Sequence, residues 1–342
     1  MSLAYKQSPS ETHAVSIERL RPPVFPANAP LSYIAHAVIA PAADGTLGVV
    51  PGPAPERGLE AGGLTYLIKD PMARHYVHFL ETIIWIYAVR GEFFPELAVE
   101  TLIFEGVEAR DLGPGSPQRQ ILDILFATAA VIPAERYQGG EARHCVVIER
   151  ARDRSPINKF CEPSLGFSWK WVPRLQSEIL RGHAVSRQAG GGLPRLIYIR
   201  QGSPRHLLAP LEERLLLTLG RYGEIVPVDF SGKTLSEQMA IAASADVMIG
   251  VYGNGLANAL WLAPGATLIE IFPPGVHHYD HQILCEMLGA RYFGLEGDLI
   301  HRDGSRFGPP YGHEPERVDV PVETVNLAAI EAILARSASP TT

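Results

Sequence analysis

Four short stretches hold residue types that do chemistry, at spacings that could bring them together. The first is Arg74-His-Tyr-Val-His-Phe-Leu-Glu-Thr-Ile-Ile-Trp85. Counted at about 100° per residue, a helix here puts Arg74, His78, Glu81 and Trp85 on one face. Met72, Tyr76, Phe79, Leu80, Ile83 and Tyr87 fall on the other, as a core stripe. A carboxylate with a histidine one turn away can act as a general base. The plain alternative is a solvated face with a charge pattern; Trp85 and the apolar surroundings favour a cleft. The second stretch is Arg200-Gln-Gly-Ser-Pro-Arg205. Guanidinium forks suit phosphate oxygens, and Ser203 adds a hydroxyl; the alternative is arginines that cover a domain surface. The third is Val251-Tyr-Gly-Asn-Gly-Leu256, a glycine turn into a helix. Tyr252, Gly253, Asn254 and Gly255 there could offer backbone N–H groups to an anion, although glycines also serve tight turns for steric reasons. The fourth is Phe272–His281, with His277, His278, Asp280 and His281. It has the composition of a metal site but poor spacing, and caps or ligand contacts suit it as well.

The elements that must position these groups follow a clear rhythm in the second half. Strands are predicted at Arg195–Arg200, Glu224–Val228, Asp246–Gly250, Ala266–Phe272 and Arg291–Gly294. Helices are predicted at Ala209–Tyr222, Thr234–Ser244, Leu256–Leu262 and His278–Leu288. This alternation means a parallel sheet covered by helices, and ligands bind beyond the carboxyl ends of such strands. The second to fourth stretches all sit there. The first half is less regular. It begins with a proline-rich lead-in to about Pro30, followed by β-like runs at Tyr33–Ile39 and Leu64–Ile68. Asp70-Pro71 is an N-cap and first-turn proline opening a helix to about Val89. Thr101–Phe104 and Cys145–Glu149 read as strands, and Pro117–Ala130 and Pro173–Leu180 as helices. The triple glycine in Gln188–Pro194 is the linker signal. It divides the chain into residues 1–190, residues 191–325, and a closing helix and tail at 322–342.

Composition narrows the classes. At 342 residues the chain has length for two domains and a substantial core. Thirty Lys and Arg against 37 Asp and Glu give a net charge of −7, which argues against a broad nucleic-acid surface. Three cysteines, none closely spaced, argue against a disulfide scaffold or a cysteine zinc site. The N-terminus carries no apolar signal core, and the longest apolar stretch, near Thr82–Val89, is far short of a membrane helix. The expectation is a cytoplasmic protein.

The run Ser244-Ala-Asp-Val-Met-Ile-Gly-Val-Tyr-Gly-Asn-Gly-Leu-Ala-Asn-Ala-Leu-Trp-Leu-Ala-Pro-Gly-Ala-Thr-Leu-Ile-Glu-Ile-Phe-Pro273 resembles the SADVVVGxHGAGLxNxxFxxPGxxxxEIxP run of glycosyltransferase family 61. Leu196–Arg205 is similar to that family's strand and arginine loop, and Tyr76–Glu81 to its HxxxE/D helix. The resemblance implies a GT-B arrangement, two Rossmann-like domains across a cleft, with the acceptor on the N-terminal side. It implies an inverting transfer from a nucleotide sugar, UDP-linked, to a glycan or glycolipid hydroxyl, with no essential metal. By position, Glu81 is the implied base and His78 its support. Arg200 and Arg205 hold the diphosphate; Gly253, Asn254 and Gly255 give backbone donors; Glu270 reaches the ribose or pairs with a neighbouring arginine. Arg74, Ser203, His277 and His278 are secondary candidates. Tyr252 stands where the family usually has histidine, and Asn254 where alanine is common. No DxD pair is present to hold a metal. The competing expectations are a nucleotide-sugar epimerase or hydrolase, and a degenerate binding module. A nicotinamide dehydrogenase fits less well, because its glycines should follow the first strand. Peripheral contact with the inner membrane face is a further expectation, and oligomeric state is left open.

Overall fold

The structure is a computed structural model. It describes residues 31–44, 46–52, 62–149, 170–186, 192–200, 202, 205–273, 276–277, 280–297, 299–301, 312–313 and 321–337. The lead-in to Pro30, the triple-glycine linker, Trp169, Ser203 and His278 lie outside the described residues.

The first sheet is mixed rather than simply parallel. Its strands are β1 (Leu31–Pro41), β2 (Leu47–Pro51), β3 (Leu64–Lys69), β4 (Val99–Glu105), β5 (Ala130–Pro133) and β6 (Gly140–Glu149). They lie in the order β2-β1-β6-β3-β4-β5. β6, β3, β4 and β5 run parallel, while β1 is antiparallel to both β2 and β6. In the β1–β6 ladder the pairing skips His36 and Arg143, and His36 takes a positive φ of 50°. Inside and outside change places there in both strands. Cys145 and Val147 share a small core with Ala37, Ile39 and Ala142 across the skipped pair.

Asp70, at the end of β3, is buried and accepts from Met72 N at 3.1 Å and from Thr82 Oγ1 at 2.7 Å. It thereby caps a 3-10 turn, Pro71–Arg74, and ties it to α1 (Tyr76–Phe93). His75, in extended conformation, separates the two. Gly106, at φ 81°, follows β4 and leaves room for Pro71, which a Cβ there would meet at 2.8 Å. α2 (Pro117–Leu125) is capped by Ser116 and ends sooner than expected, because the chain turns into β5. α3 is Val172–Gly182.

The second sheet matches the predicted alternation. It holds β7 (Arg195–Ile199), β8 (Glu224–Val228), β9 (Val247–Val251), β10 (Thr267–Phe272), β12 (Arg291–Glu296) and β13 (Leu299–His301), in the order β13-β12-β10-β9-β7-β8. All neighbours run parallel except β13 against β12. β11 (Val276–His277) and β14 (Gly312–His313) form a separate antiparallel pair. The helices are α4 (Ala209–Leu219), α5 (Leu235–Ala243), α6 (Asp280–Leu288) and α7 (Leu327–Ser337). α5 opens with a capping box between Thr234 and Glu237. Where a helix was expected over Leu256–Leu262, the chain forms a 3-10 helix over Asn254–Trp261.

The central strands β9 and β10 are buried on both faces, and β7 nearly so. Leu196 and Tyr198 face a cluster covered by α4 and α7, with Leu215 and Ile330 at its centre. Ile197 and Ile199 face the other way, into one continuous apolar cluster. That cluster runs through the 3-10 helix and α6, takes in α1, α2 and α3, and reaches Tyr66, Phe104 and Val146 on the first sheet. Helices from the first half thus form a shared layer with helices from the second. Gln176 of α3 pins the contact: it is buried, and its amide donates to Leu260 O at 2.6 Å and Leu262 O at 2.7 Å.

Candidate active site

The expected polar face of α1 is not a face. Every residue from Phe79 to Val89 is buried, Glu81 and Trp85 included, so the helix lies inside the protein all round. A solvated charge stripe is excluded for that reason. Arg74 does not share the stripe, because the extended His75 breaks the helical count between Arg74 and His78. Arg74 is exposed and its Nε donates to His75 Nε2 at 3.2 Å. Burial, helped by the charges of Arg74 and His78, holds the His75 imidazole below its usual range. Met72, expected in the core stripe, is exposed in the 3-10 turn. His78 and Glu81 do come together: His78 Nδ1 lies 3.2 Å from Glu81 Oε2, with the histidine half-buried and the glutamate buried.

The loops after β7 and β9 also meet. The Arg205 guanidinium sits over the Tyr252 ring, 5.4 Å from its centroid. Tyr252 in turn stacks on Phe272, with centroids 5.8 Å apart and planes inclined by 29°. The tyrosine where histidine was expected therefore contacts both a cation and an aromatic ring. Its backbone N–H donates to Ile271 O at 2.8 Å. Arg200 is half exposed, and its Nε contacts Glu212 Oε1 at 2.9 Å. Gly253 opens the 3-10 helix at φ 157°, ψ 179°, a conformation that belongs almost solely to glycine. Asn254 beside it is exposed and Gly255 half-buried. His277 lies in β11, its backbone paired with Gly312. Among the described residues, no group of three or more His, Cys, Asp or Glu stands close enough to hold a metal ion.

Among the described residues Glu270 has no arginine partner, and it has no open space beside it. It is fully buried at β10, where Oε1 contacts His281 Nδ1 at 2.9 Å and Oε2 accepts from Tyr292 OH at 2.8 Å. Parallel pairing of Glu270 with Gly294 brings Tyr292 alongside. A carboxylate holding an imidazole in this way fixes the ring's orientation. Cys285, one turn further along α6, keeps its proton because of burial and the nearby Glu270 and Glu286.

Of these groups, Glu81 and His281 line a cavity of about 30 Å³ between α1, the 3-10 helix and α6. Its walls are aliphatic side chains of all three elements, plus Glu81 and His281. Two imidazole–carboxylate pairs therefore meet one cavity in opposite senses. In one, the carboxylate lines the wall with His78 behind it; in the other, His281 lines the wall with Glu270 behind it. The sequence brought His281 to notice only as part of a histidine cluster, and Tyr292 and Gln176 not at all. Strand register and helix crossing decide these contacts, and neither is written locally.

Two helix-flanked, mostly parallel sheets define an α/β protein, which carries a buried acid–histidine pair and an arginine–aromatic stack. The chain belongs to the glycosyltransferase 61 family, whose sequence model matches residues 71–269, more than half of its length. It is also similar to an alpha-1,3-arabinosyltransferase, XAT2, of rice (Oryza sativa subsp. japonica), at 33% identity over 103 residues. That match covers 29% of this chain and 18% of the rice protein. No helix among the described residues is long and apolar enough to cross a membrane.

Proposed function

We propose that the protein is an inverting glycosyltransferase of GT-B arrangement, moving a sugar from a UDP-linked donor to a hydroxyl of a glycan or glycolipid. Residues 1–190 serve the acceptor and 191–325 the donor. The observation that carries this is the buried Glu81–His78 pair at a cavity walled also by the helix of the glycine turn. The name of the rice relative makes a pentose such as arabinose the first donor to try.

The chemistry follows from the groups present. Glu81 accepts the hydrogen of the acceptor hydroxyl as its oxygen attacks the anomeric carbon. The bond from that carbon to the diphosphate breaks, and the diphosphate leaves with the electron pair. Arg200 and Arg205 balance the charge that grows on it, and the N–H groups of Gly253, Asn254 and Gly255 add to this. The arginines take the role a metal has in DxD enzymes, and no cofactor beyond the donor is called for. Tyr252 holds Arg205 in place. His78, half-buried, passes the proton from Glu81 to solvent. Glu270 is left out of donor binding, because both its oxygens are bonded inside the protein. The acceptor class suits action at the inner face of a membrane.

Glu81→Gln tests the assignment. Transfer should fall by roughly 10²–10⁴-fold, the usual contribution of a general base, with UDP binding unchanged in calorimetry. Unaltered transfer rates would remove Glu81 as the base. Turnover gained only on Tyr252→His would mark the present chain as a degenerate binding module.

A further inference from the structure

We propose that His281 is a second substrate-contacting residue, donating Nε2–H to the same hydroxyl whose hydrogen Glu81 accepts. The inference rests on the transferase reading and adds to it a residue on the opposite wall.

The cavity has the size for it. At about 30 Å³ it exceeds the roughly 10–15 Å³ that one water-sized group needs, so a hydroxyl fits between its walls. A hydroxyl entering an apolar notch must find its partners there or lose its hydrogen bonds to water. The polar side chains on these walls are Glu81 and His281. Glu81, as a carboxylate, accepts; a hydroxyl oxygen then needs a donor from the other side.

The surroundings of His281 make it that donor. Its Nδ1 edge is fixed on Glu270, and the two ring nitrogens point in nearly opposite directions. Nε2 is therefore turned away from β10. A carboxylate sealed from water is costly unless a proton or cation comes with it. Among the described residues, the side chains bonded to Glu270 are His281 and Tyr292, and the phenol brings no charge. Donation from Nε2 requires the arrangement in which the Glu270–His281 contact holds a proton between Nδ1 and Oε1 and a second hydrogen sits on Nε2. Among the described residues, the ionisable groups around the ring are Glu270 on β10, Tyr292 on β12, Glu81 on α1, and Cys285 and Glu286 on α6 itself. The 3-10 helix adds only Ala257 and Leu260 to the cavity wall.

Two measurements test this on the full-length protein. In ¹⁵N-histidine spectra at pH 7, the His281 Nε2 resonance should be that of a hydrogen-bearing nitrogen, and it should move on addition of methyl glycosides. A bare Nε2 acceptor overturns the proposal whether or not the protein transfers sugar. In transfer assays with UDP-pentoses and UDP-hexoses on methyl glycosides, His281→Phe should lower kcat by roughly 10²-fold, the cost of a misplaced attacking hydroxyl. The donor KM and UDP binding should not change. His281→Gln, which keeps an N–H near the Nε2 position, should recover part of the rate. Wild-type transfer by His281→Phe overturns the proposal. Absence of transfer by the wild type with every donor defeats the transferase reading, while the nitrogen spectrum still decides His281.

Discussion

Gln176→Leu removes a side chain that joins the two halves of the chain without changing its size much. The buried amide donates to Leu260 O at 2.6 Å and Leu262 O at 2.7 Å, at the end of the 3-10 helix. Carbonyls at a helix end have no partner within the helix. Leucine leaves both unsatisfied, at about 1–3 kcal/mol each. The expected loss is therefore roughly 2–6 kcal/mol, a large share of the roughly 5–15 kcal/mol of a typical fold. Urea unfolding followed by tryptophan fluorescence should show the midpoint moving down with little change in slope. Amide exchange should quicken first along Asn254–Trp261. Gln176→Glu has the same shape and no donor, so it should destabilise at least as much. A loss under about 0.5 kcal/mol for either variant would refute the reasoning, since it would mean that the two carbonyls do not depend on this amide.

Other outcomes follow from contacts described above. Tyr252→Leu takes away the face on which Arg205 rests. At about 0.5–2 kcal/mol for a cation–π contact, UDP should bind roughly 2- to 30-fold more weakly by calorimetry, whereas Tyr252→Phe should bind nearly as the wild type. An unchanged affinity for Tyr252→Leu would end the platform role. Burial pushes the Cys145 thiol up to about 12. The unfolded thiol ionises first, so stability is full below about pH 9 and falls as pH rises toward about 12. One such group contributes at most about 1.4 kcal/mol per pH unit, and Cys145→Ala should flatten the alkaline limb of a stability–pH curve by that much. An identical limb in the variant would assign the slope to other groups.

Much of the second sheet could be read from the chain. β8 falls on the expected Glu224–Val228, and Thr234 caps α5 as its sequence suggests. These features are local: an alternation of apolar runs and a hydroxyl before a helix. Asp70-Pro71 likewise marked a helix start, but the turn it opens is 3-10, and the helix begins anew after His75. A hundred degrees per residue therefore misplaced Arg74 and Met72. The antiparallel β1 and β2 were hidden for a different reason, since β6 comes between β1 and β3 from far along the chain. In the site, Glu81 with His78 was legible because one helical turn joins them. Glu270 with His281 and Tyr292 was not, because a helix and a neighbouring strand bring them together only once the sheet has formed.

The skipped pair at His36 and Arg143 also bears on how this chain can change length. Each strand drops one residue from the ladder at the same point, so the phase error in one is cancelled by its equal in the other. Hydropathy counted along β1 alone looks like a mistake of parity, and so does β6 alone; only their sum is regular. A residue gained or lost near that point is tolerable as a matched pair and ruinous singly, because one strand would then show its oily side to water while the other did not. The two segments are more than a hundred positions apart in sequence, yet they are bound to vary in length as one.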